Sequence, residues 1–301
     1  MLALFGPTGV GKTAVAVALA RRLRAHGEDP VAVSADALQL YRGVETLTGA
    51  ATAEERAALE HRMLGVLEIT ETASAGAFAR TAHAEIDALL AAGRRPIVVG
   101  GTGLYLRAAL AELELRPPVP ERLRARRQAD LAVRGAAALH AELAARAPAT
   151  AASIEPADGH RLVRALELLD AGQPPPAARE ASTLWTAHTR HPTFLAGLTM
   201  ERAALYARIE ERIDAMVAAG AREEVETAVA AGASPGARQA LGFEALLEGD
   251  VPAMKAQTRR YAKRQLTWMR RLPGVHLIDL TGRTAAGVAA ELHALLADGA
   301  P

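Results

Sequence analysis

Near its start the chain reads Gly6-Pro7-Thr8-Gly9-Val10-Gly11-Lys12-Thr13, the spacing G-x-x-x-x-G-K-[ST]. Glycines at those positions let backbone N–H groups turn inward around a diphosphate, and a following helix adds the positive end of its dipole. Lys12 would neutralise phosphate charge, and the Thr13 hydroxyl would hold Mg²⁺. A carboxylate follows in Ser34-Ala35-Asp36-Ala37-Leu38-Gln39-Leu40-Tyr41-Arg42-Gly43. Beside bound phosphates a carboxylate is repelled, and it becomes useful there by accepting a proton or a metal. As an isolated feature it could equally cap a helix. A third cluster runs Thr258-Arg259-Arg260-Tyr261-Ala262-Lys263-Arg264-Gln265-Leu266-Thr267-Trp268-Met269-Arg270-Arg271. On a helix Arg260, Lys263, Arg264, Thr267 and Arg271 would share one face. Basic residues interleaved with Tyr261 and Trp268 fit a nucleic acid, its phosphates neutralised and its bases stacked, although a solvated basic face has the same look.

The elements that must position these groups are legible as periodicities. Residues 2–5 and 31–34 are short apolar runs, and Pro96-Ile97-Val98-Val99 is another, ending in Gly100-Gly101-Thr102-Gly103. Helical patterns at 14–24 and 75–92 separate them. Strands alternating with helices predict βαβ units and a parallel sheet covered on both faces. Runs at 193–198 and 275–278 read as later strands of that sheet. In such sheets the carboxyl ends of neighbouring strands open on one crevice, so Asp36 and the glycine loop should converge. Between the Pro-rich joints at 116–120 and 174–176 the texture is Ala, Leu and Arg with helical period and no good strand. That is the profile of a helical insertion. Residues 200–271 are again helical, broken at Pro235-Gly236.

Bulk composition narrows the class. At 301 residues, half of them apolar, the chain can bury a full core, yet no run approaches the roughly 20 apolar residues of a membrane span. The opening Met1-Leu2-Ala3-Leu4-Phe5 has no basic leader and reads as a strand, not a signal peptide. With no cysteine there is no disulfide or thiolate metal site, which fits a reducing, cytoplasmic setting. Of 35 basic residues only Lys12, Lys255 and Lys263 are lysine. A lysine kept in such an arginine-rich background marks a position that needs it, and two of the three lie in the motifs above.

NTP-hydrolysing P-loop proteins hold Mg²⁺ with an acidic residue at a buried strand end. The strand at 96–99 instead ends in Gly100-Gly101-Thr102-Gly103, which brings a hydroxyl and backbone toward the phosphates and no carboxylate. A small-molecule kinase or ATPase would explain the loop and leave the basic helix without a use. A non-catalytic RNA-binding protein would explain the helix and leave the paired Asp36 and Thr102 without one.

Taken in order, the motifs resemble the tRNA dimethylallyltransferases (tRNA isopentenyltransferases), from Leu2 to about Leu277. The matching pieces are Gly6 to Thr13, Ser34 to Gly43, Gly100 to Tyr105, Asp158 to Glu167, Leu241-Gly242-Phe243 and Thr258 to Trp268. The resemblance implies a P-loop NTPase-like parallel sheet flanked by helices, residues 1–112 and 187–301, with an all-α insertion domain at 113–186 that contacts tRNA. It implies a cytoplasmic, monomeric enzyme with Mg²⁺ that moves the prenyl group of dimethylallyl diphosphate onto N6 of the adenosine 3′ of the anticodon, in the tRNA anticodon stem-loop. By resemblance Asp36 is the general base, Thr102 donates toward the leaving diphosphate, and Arg124 is an active-site arginine. The tRNA path takes in Asp36, Ala37, Leu38 and Gln39, then His160, Arg161, Leu162, Val163 and Arg164, then Gly242 and Phe243. It ends on Lys263, Arg264, Gln265, Thr267, Trp268 and Arg270. Three stretches depart from the family pattern. Leu47-Thr48-Gly49-Ala50-Ala51 replaces Gly-Thr-Ala-Lys-Pro, Gly65 replaces an acid, and Glu244 replaces a basic residue.

Overall fold

The structure, a computed structural model, describes residues 1–101, 103–113, 119–175, 184 and 186–297. The chain divides into two compact units, Met1–Glu112 with Trp185–Pro301, and Leu113–Leu184. The first part of the larger unit runs β1 (Leu2–Phe5), α1 (Lys12–Ala25), β2 (Pro30–Ser34), α2 (Glu45–Thr48), α3 (Ala53–Ala58), β3 (His61–Arg62), α4 (Ala75–Ala91), β4 (Arg95–Gly100) and α5 (Gly103–Leu110). The smaller unit holds α6 (Glu121–Arg146), α7 (Pro148–Ala152) and α8 (Gly159–Asp170). The larger unit resumes with β5 (Phe194–Thr199), α9 (Arg202–Ala218), α10 (Ala221–Ala230), α11 (Phe243–Leu247), α12 (Val251–Met269), β6 (Val275–Asp279) and α13 (Ala285–Ala297).

Among the described residues six strands form one parallel sheet, in the order β3-β2-β4-β1-β5-β6. The apolar runs that predicted β1 and β2 are buried along their whole length, as strands covered on both faces must be. The two-residue β3 is polar and carries no hydrophobic period, so it was invisible in the sequence. Register brings the strand ends level: Phe5 lies opposite Gly100 and Gly197, and Ser34 opposite Val99. Residues following β1, β2 and β4 therefore emerge side by side. Helix α1 buries Val15, Ala16, Leu19, Ala20 and Leu23, the three-and-four spacing of one face, and packs against α13.

The smaller unit is helical, with a core of Leu139, Leu143, Ile154, Leu162, Val163 and Leu166. Gly135, at φ 77°, breaks α6 so that its two halves run as separate helices. A charged network holds the halves together. The buried Arg127 guanidinium is bidentate on Asp170 at 2.6 and 2.8 Å and also reaches Glu142 at 2.8 Å and Asp130 at 3.1 Å. Arg146 adds a bond to Asp170 at 2.9 Å, and Arg134 one to Glu142 at 2.7 Å.

Deleting one partner of such a buried cluster leaves carboxylates without compensation, at a typical cost of about 3–5 kcal/mol. Arg127→Met is expected to lower stability by about 3 kcal/mol in equilibrium denaturation. A loss below about 0.5 kcal/mol would mean that Asp170 and Glu142 are satisfied by Arg146 and Arg134 alone.

Candidate active site

The glycine loop crosses the C-terminal end of β1 and turns directly into α1. Gly11 is the N-cap, at φ 102° in the left-handed region where a side chain would be strained, and no side chain caps the helix. The first N–H groups of α1 are thus left for a ligand, the arrangement that binds phosphate. Lys12 folds over the loop, its Nζ donating to Gly6 O at 3.0 Å and Pro7 O at 3.1 Å. Burial pushes its pKa down to about 8. The positive charge of Arg212 pushes the same way, and Asp36 opposes it.

Asp36 stands beyond β2 in the same crevice. Ala35 N–H donates to Val99 O at 2.8 Å, which ties its loop to β4. Asp36 Oδ1 accepts from Leu38 N–H at 3.0 Å in a tight local turn. That bond orients the carboxylate, and Oδ2 has no hydrogen bond among the described residues. Burial raises the Tyr105 phenol to about 12, with Asp36 adding to the effect, so this neighbour stays protonated.

A cavity of about 670 Å³ joins these groups, lined by Thr8, Gly11, Lys12, Thr13, Asp36 and Gln39 among others. That volume is typical of small-molecule sites. Two other carboxylates on its wall are committed to backbone: Glu45 Oε2 accepts from Gly43 N–H and Glu55 Oε2 from Thr52 N–H, both at 2.9 Å. Leu47, Ile209, Ile213, Met216, Leu241 and Met254 supply an apolar wall.

Two cations that α9 brings to this wall escaped the sequence reading. Arg208 and Arg212, one turn apart on α9, both line the cavity. Arg208 brings its guanidinium over Gly11 and has no ion-pair partner among the described residues. Arg212 donates to Gly49 O at 3.0 Å. Their four-residue spacing between the buried Leu205, Ile209 and Ile213 was the available signal, hidden in a chain with arginines on most of its helices.

Gln265, expected on the tRNA path, is instead buried with Met254, Thr258, Ala262 and Met269 on the inner face of α12. Its Oε1 accepts from Thr8 N–H at 2.8 Å, so it braces the phosphate loop. Gly101 is required beside it, since a Cβ there would overlap Gln265 Nε2. The expected basic face lies opposite. Arg260, Lys263, Arg264, Thr267, Arg270 and Arg271 are all exposed, and Arg264 sits 5.4 Å over the Tyr261 ring. Arg270 and Arg271 follow the last helical residue, Met269.

A family model described as IPP transferase matches residues 39–272. The chain belongs to the IPP transferase family. It is 43% identical to the tRNA dimethylallyltransferase of Thermobifida fusca over 302 residues, covering 95% of this chain and 93% of that protein. It also resembles the solved full-length tRNA isopentenylpyrophosphate transferase of Bacillus halodurans, at 32% identity and a TM-score of 0.70 over 99% and 95% of the two chains. A eukaryotic dimethylallyltransferase solved acting on tRNA shares the fold, with a TM-score of 0.78, 23% identity and coverage of 100% and 80%.

The residues carried over from the family fall into different surroundings. Thr102 lies outside the described residues. Arg124 is bidentate on the fully buried Glu167 at 2.9 and 3.1 Å, an ion pair internal to the smaller unit. Of the stretch on α8, His160 and Arg161 are exposed and Arg164 is half-buried against Glu167 at 2.6 Å. Leu162 and Val163, also expected along the tRNA path, are core residues whose apolar side chains build the unit's interior. Phe243 has its ring fully buried under the Arg238 guanidinium. Gly242 is the left-handed N-cap of α11, and Met254 fills the space a side chain would need. Arg238 pairs with Glu244 at 2.8 and 3.0 Å, which offsets the acid that departs from the family pattern. Ala37, Leu38 and Gln39 are half-buried. Gln39 is turned inward, accepting from Ser34 Oγ at 2.9 Å and donating to Gly49 O at 3.2 Å. Trp268 packs on Gly103, where a Cβ would overlap the indole. Thr267 Oγ1 donates back to Lys263 O at 3.1 Å.

Because Lys12 holds its proton only to about pH 8, a bound anion that favours the ammonium must raise that value. Affinity for diphosphate is then fully present below pH 8 and declines as pH rises above it. Calorimetry at pH 8.5 in buffers of differing ionisation enthalpy should show proton uptake on binding that Lys12→Arg lacks, since arginine stays charged there. Identical proton uptake in the two proteins would contradict the assignment.

Proposed function

We propose that the chain transfers the dimethylallyl group of dimethylallyl diphosphate to N6 of the adenosine 3′ of the anticodon in tRNA. The carrying observation is that one cavity is lined both by the uncapped start of α1 and by the Asp36 carboxylate. The diphosphate would lie on the N–H groups of residues 9–13, with Lys12, Arg208 and Arg212 around it. The apolar wall would take the five-carbon tail, away from water. Adenosine N6 would attack the allylic C1. The N6–C1 bond forms as the C1–O bond to diphosphate breaks, and the N6 proton passes to Asp36. Cationic and N–H donors would stabilise charge gathering on the departing diphosphate, the role assigned by resemblance to Thr102 and Arg124 as well. The target base must leave its stack to enter the crevice.

Among the described residues no cluster of three or more His, Asp or Glu could hold a metal by itself. The Thr13 hydroxyl on the cavity wall is a hard oxygen donor that suits Mg²⁺, which takes most of its ligands from phosphate and water. Bound there, Mg²⁺ would supply further neutralisation of the diphosphate. No helix among the described residues is long and apolar enough to cross a membrane. We read the protein as a cytoplasmic monomer.

The RNA would meet the exposed basic face of α12 through Lys263, Arg264 and Arg270, and the smaller unit through His160 and Arg161. Beyond this, Ala37, Leu38, Gly242 and Trp268 keep their resemblance-based place near the tRNA path.

The direct test is incubation with Mg²⁺, labelled dimethylallyl diphosphate and a tRNA transcript carrying an adenosine at position 37. Label is expected as N6-dimethylallyladenosine, and ATP hydrolysis without tRNA dependence would argue for a kinase-like enzyme instead. Asp36→Asn should lower kcat by about 10²–10⁴-fold; unchanged turnover would remove Asp36 as the base. Arg264→Ala should weaken tRNA binding and reduce the salt slope of log K by about 0.7–0.9. An unaltered slope would place Arg264 off the RNA.

A further inference from the structure

Thr13 stands between two cavities. One is the large cavity of the phosphate loop; the other is a small chamber of about 20 Å³, lined by Thr13, Ala32, Ser34, Gln39, His61 and Val99 among others. Sheet register explains why these side chains meet. Ala32 lies opposite His61 and Ser34 opposite Val99, in parallel pairs. Ala32 and Ser34 are two apart on β2, so all four project from one face of the sheet. Helix α1 packs over β2 and β4, and Thr13 in its first turn closes the chamber.

The chamber is polar. His61 Nδ1 lies 2.6 Å from Leu59 O, and because a carbonyl only accepts, Nδ1 carries the ring proton. Burial lowers the His61 pKa, so the ring is neutral at pH 7 and Nε2 keeps its lone pair. Ser34 Oγ gives its proton to Gln39 Oε1 at 2.9 Å and keeps its own lone pairs. The Gln39 amide is engaged by Ser34 and by Gly49 O. Thr13 Oγ1 has no hydrogen bond among the described residues. One donor and two acceptors thus border a space larger than the roughly 10–15 Å³ that one water needs. A water offers the complementary set, a lone pair for Thr13 and two protons for His61 and Ser34.

A threonine that ligates Mg²⁺ presents a lone pair to the cation, so its proton must point elsewhere. The end of β4, where a carboxylate could take that proton, carries Gly100 and Gly101. We infer that the small chamber is a hydration site and that His61 is a positioning residue for the Mg²⁺ ligand. A water held by His61 Nε2 and Ser34 Oγ accepts the Thr13 hydroxyl bond and leaves the Thr13 lone pairs turned to the diphosphate cavity. The role is indirect, since His61 lines the small chamber and not the large one. The inference rests on the reading of Thr13 as an Mg²⁺ ligand at the diphosphate site.

Two measurements test it. A crystal structure of the unliganded wild type should show one water within hydrogen-bond distance of Thr13 Oγ1, Ser34 Oγ and His61 Nε2. An ordered chamber without that water, or a water that leaves Thr13 out, overturns the inference. Titration calorimetry then measures diphosphate binding with and without Mg²⁺ in wild type, His61→Phe and His61→Gln. Phenylalanine keeps a ring and removes the acceptor, whereas the glutamine amide oxygen can stand where Nε2 stood. His61→Phe should keep the wild-type affinity for diphosphate alone and lose affinity for magnesium diphosphate by about tenfold or more, with His61→Gln recovering to within about threefold of wild type. No loss in His61→Phe, or equal losses in the two variants, overturns the positioning role. If wild type gains nothing from Mg²⁺, the metal reading itself fails and the role of His61 falls with it. Should His61→Phe not fold, the water in the wild-type crystal decides alone.

Discussion

The site depends on an electrostatic imbalance at the start of α1. The helix begins on a glycine, with no side chain to accept from its first N–H groups, and Lys12, Arg208 and Arg212 add charge around the same point. In most folds such a concentration would be neutralised by carboxylates. Here Glu45 and Glu55, which share the cavity wall, accept from backbone N–H groups and Asp36 is held by a turn of its own, so among the described residues none of them forms an ion pair with these cations, although Glu55 and Asp36 act on Arg212 through space. The depressed pKa of Lys12 is the signature of that imbalance: burial and a neighbouring cation both disfavour its charge. The diphosphate proposed for this cavity would relieve that imbalance.

The contrast with the smaller unit is instructive. There Arg124, Arg127, Arg146 and Arg164 are all engaged by Glu142, Glu167 or Asp170, and the ion pairs hold helices together. The same residue type serves structure when a carboxylate faces it and is left for the proposed ligand when none does. Residue identity alone cannot separate the two in a chain where 32 of the 35 basic residues are arginine.

Helix α12 joins two tasks through its two faces. Its outer face carries Arg260, Lys263 and Arg264 into solvent, while its inner face places Gln265 on the N–H of Thr8. Ion pairs from Lys255 to Asp214 and from Arg259 to Glu210 fix α12 against α9, the helix that bears Arg208 and Arg212. The phosphate loop is therefore braced by the same rigid element that presents the basic face.

Much of this was readable in order of residues. The buried strands at 2–5, 31–34 and 96–99 declare themselves because parallel strands covered on both faces are unbroken apolar runs. The phosphate loop and Asp36 follow from local spacing, since each is built by one strand-to-helix or strand-to-loop turn. The helical texture of 121–170 is likewise local. What the order of residues could not decide is which way a side chain points once helices pack. Gln265, Phe243, Leu162 and Val163 lie within motifs that read as RNA-facing, yet packing turns them inward. Arg208 and Arg212 lie in no motif, yet packing turns them onto the phosphate loop. Periodicity determines that a helix has two faces; only contacts between residues distant in sequence, such as Thr8 with Gln265 or Gly49 with Arg212, decide which face meets the ligand.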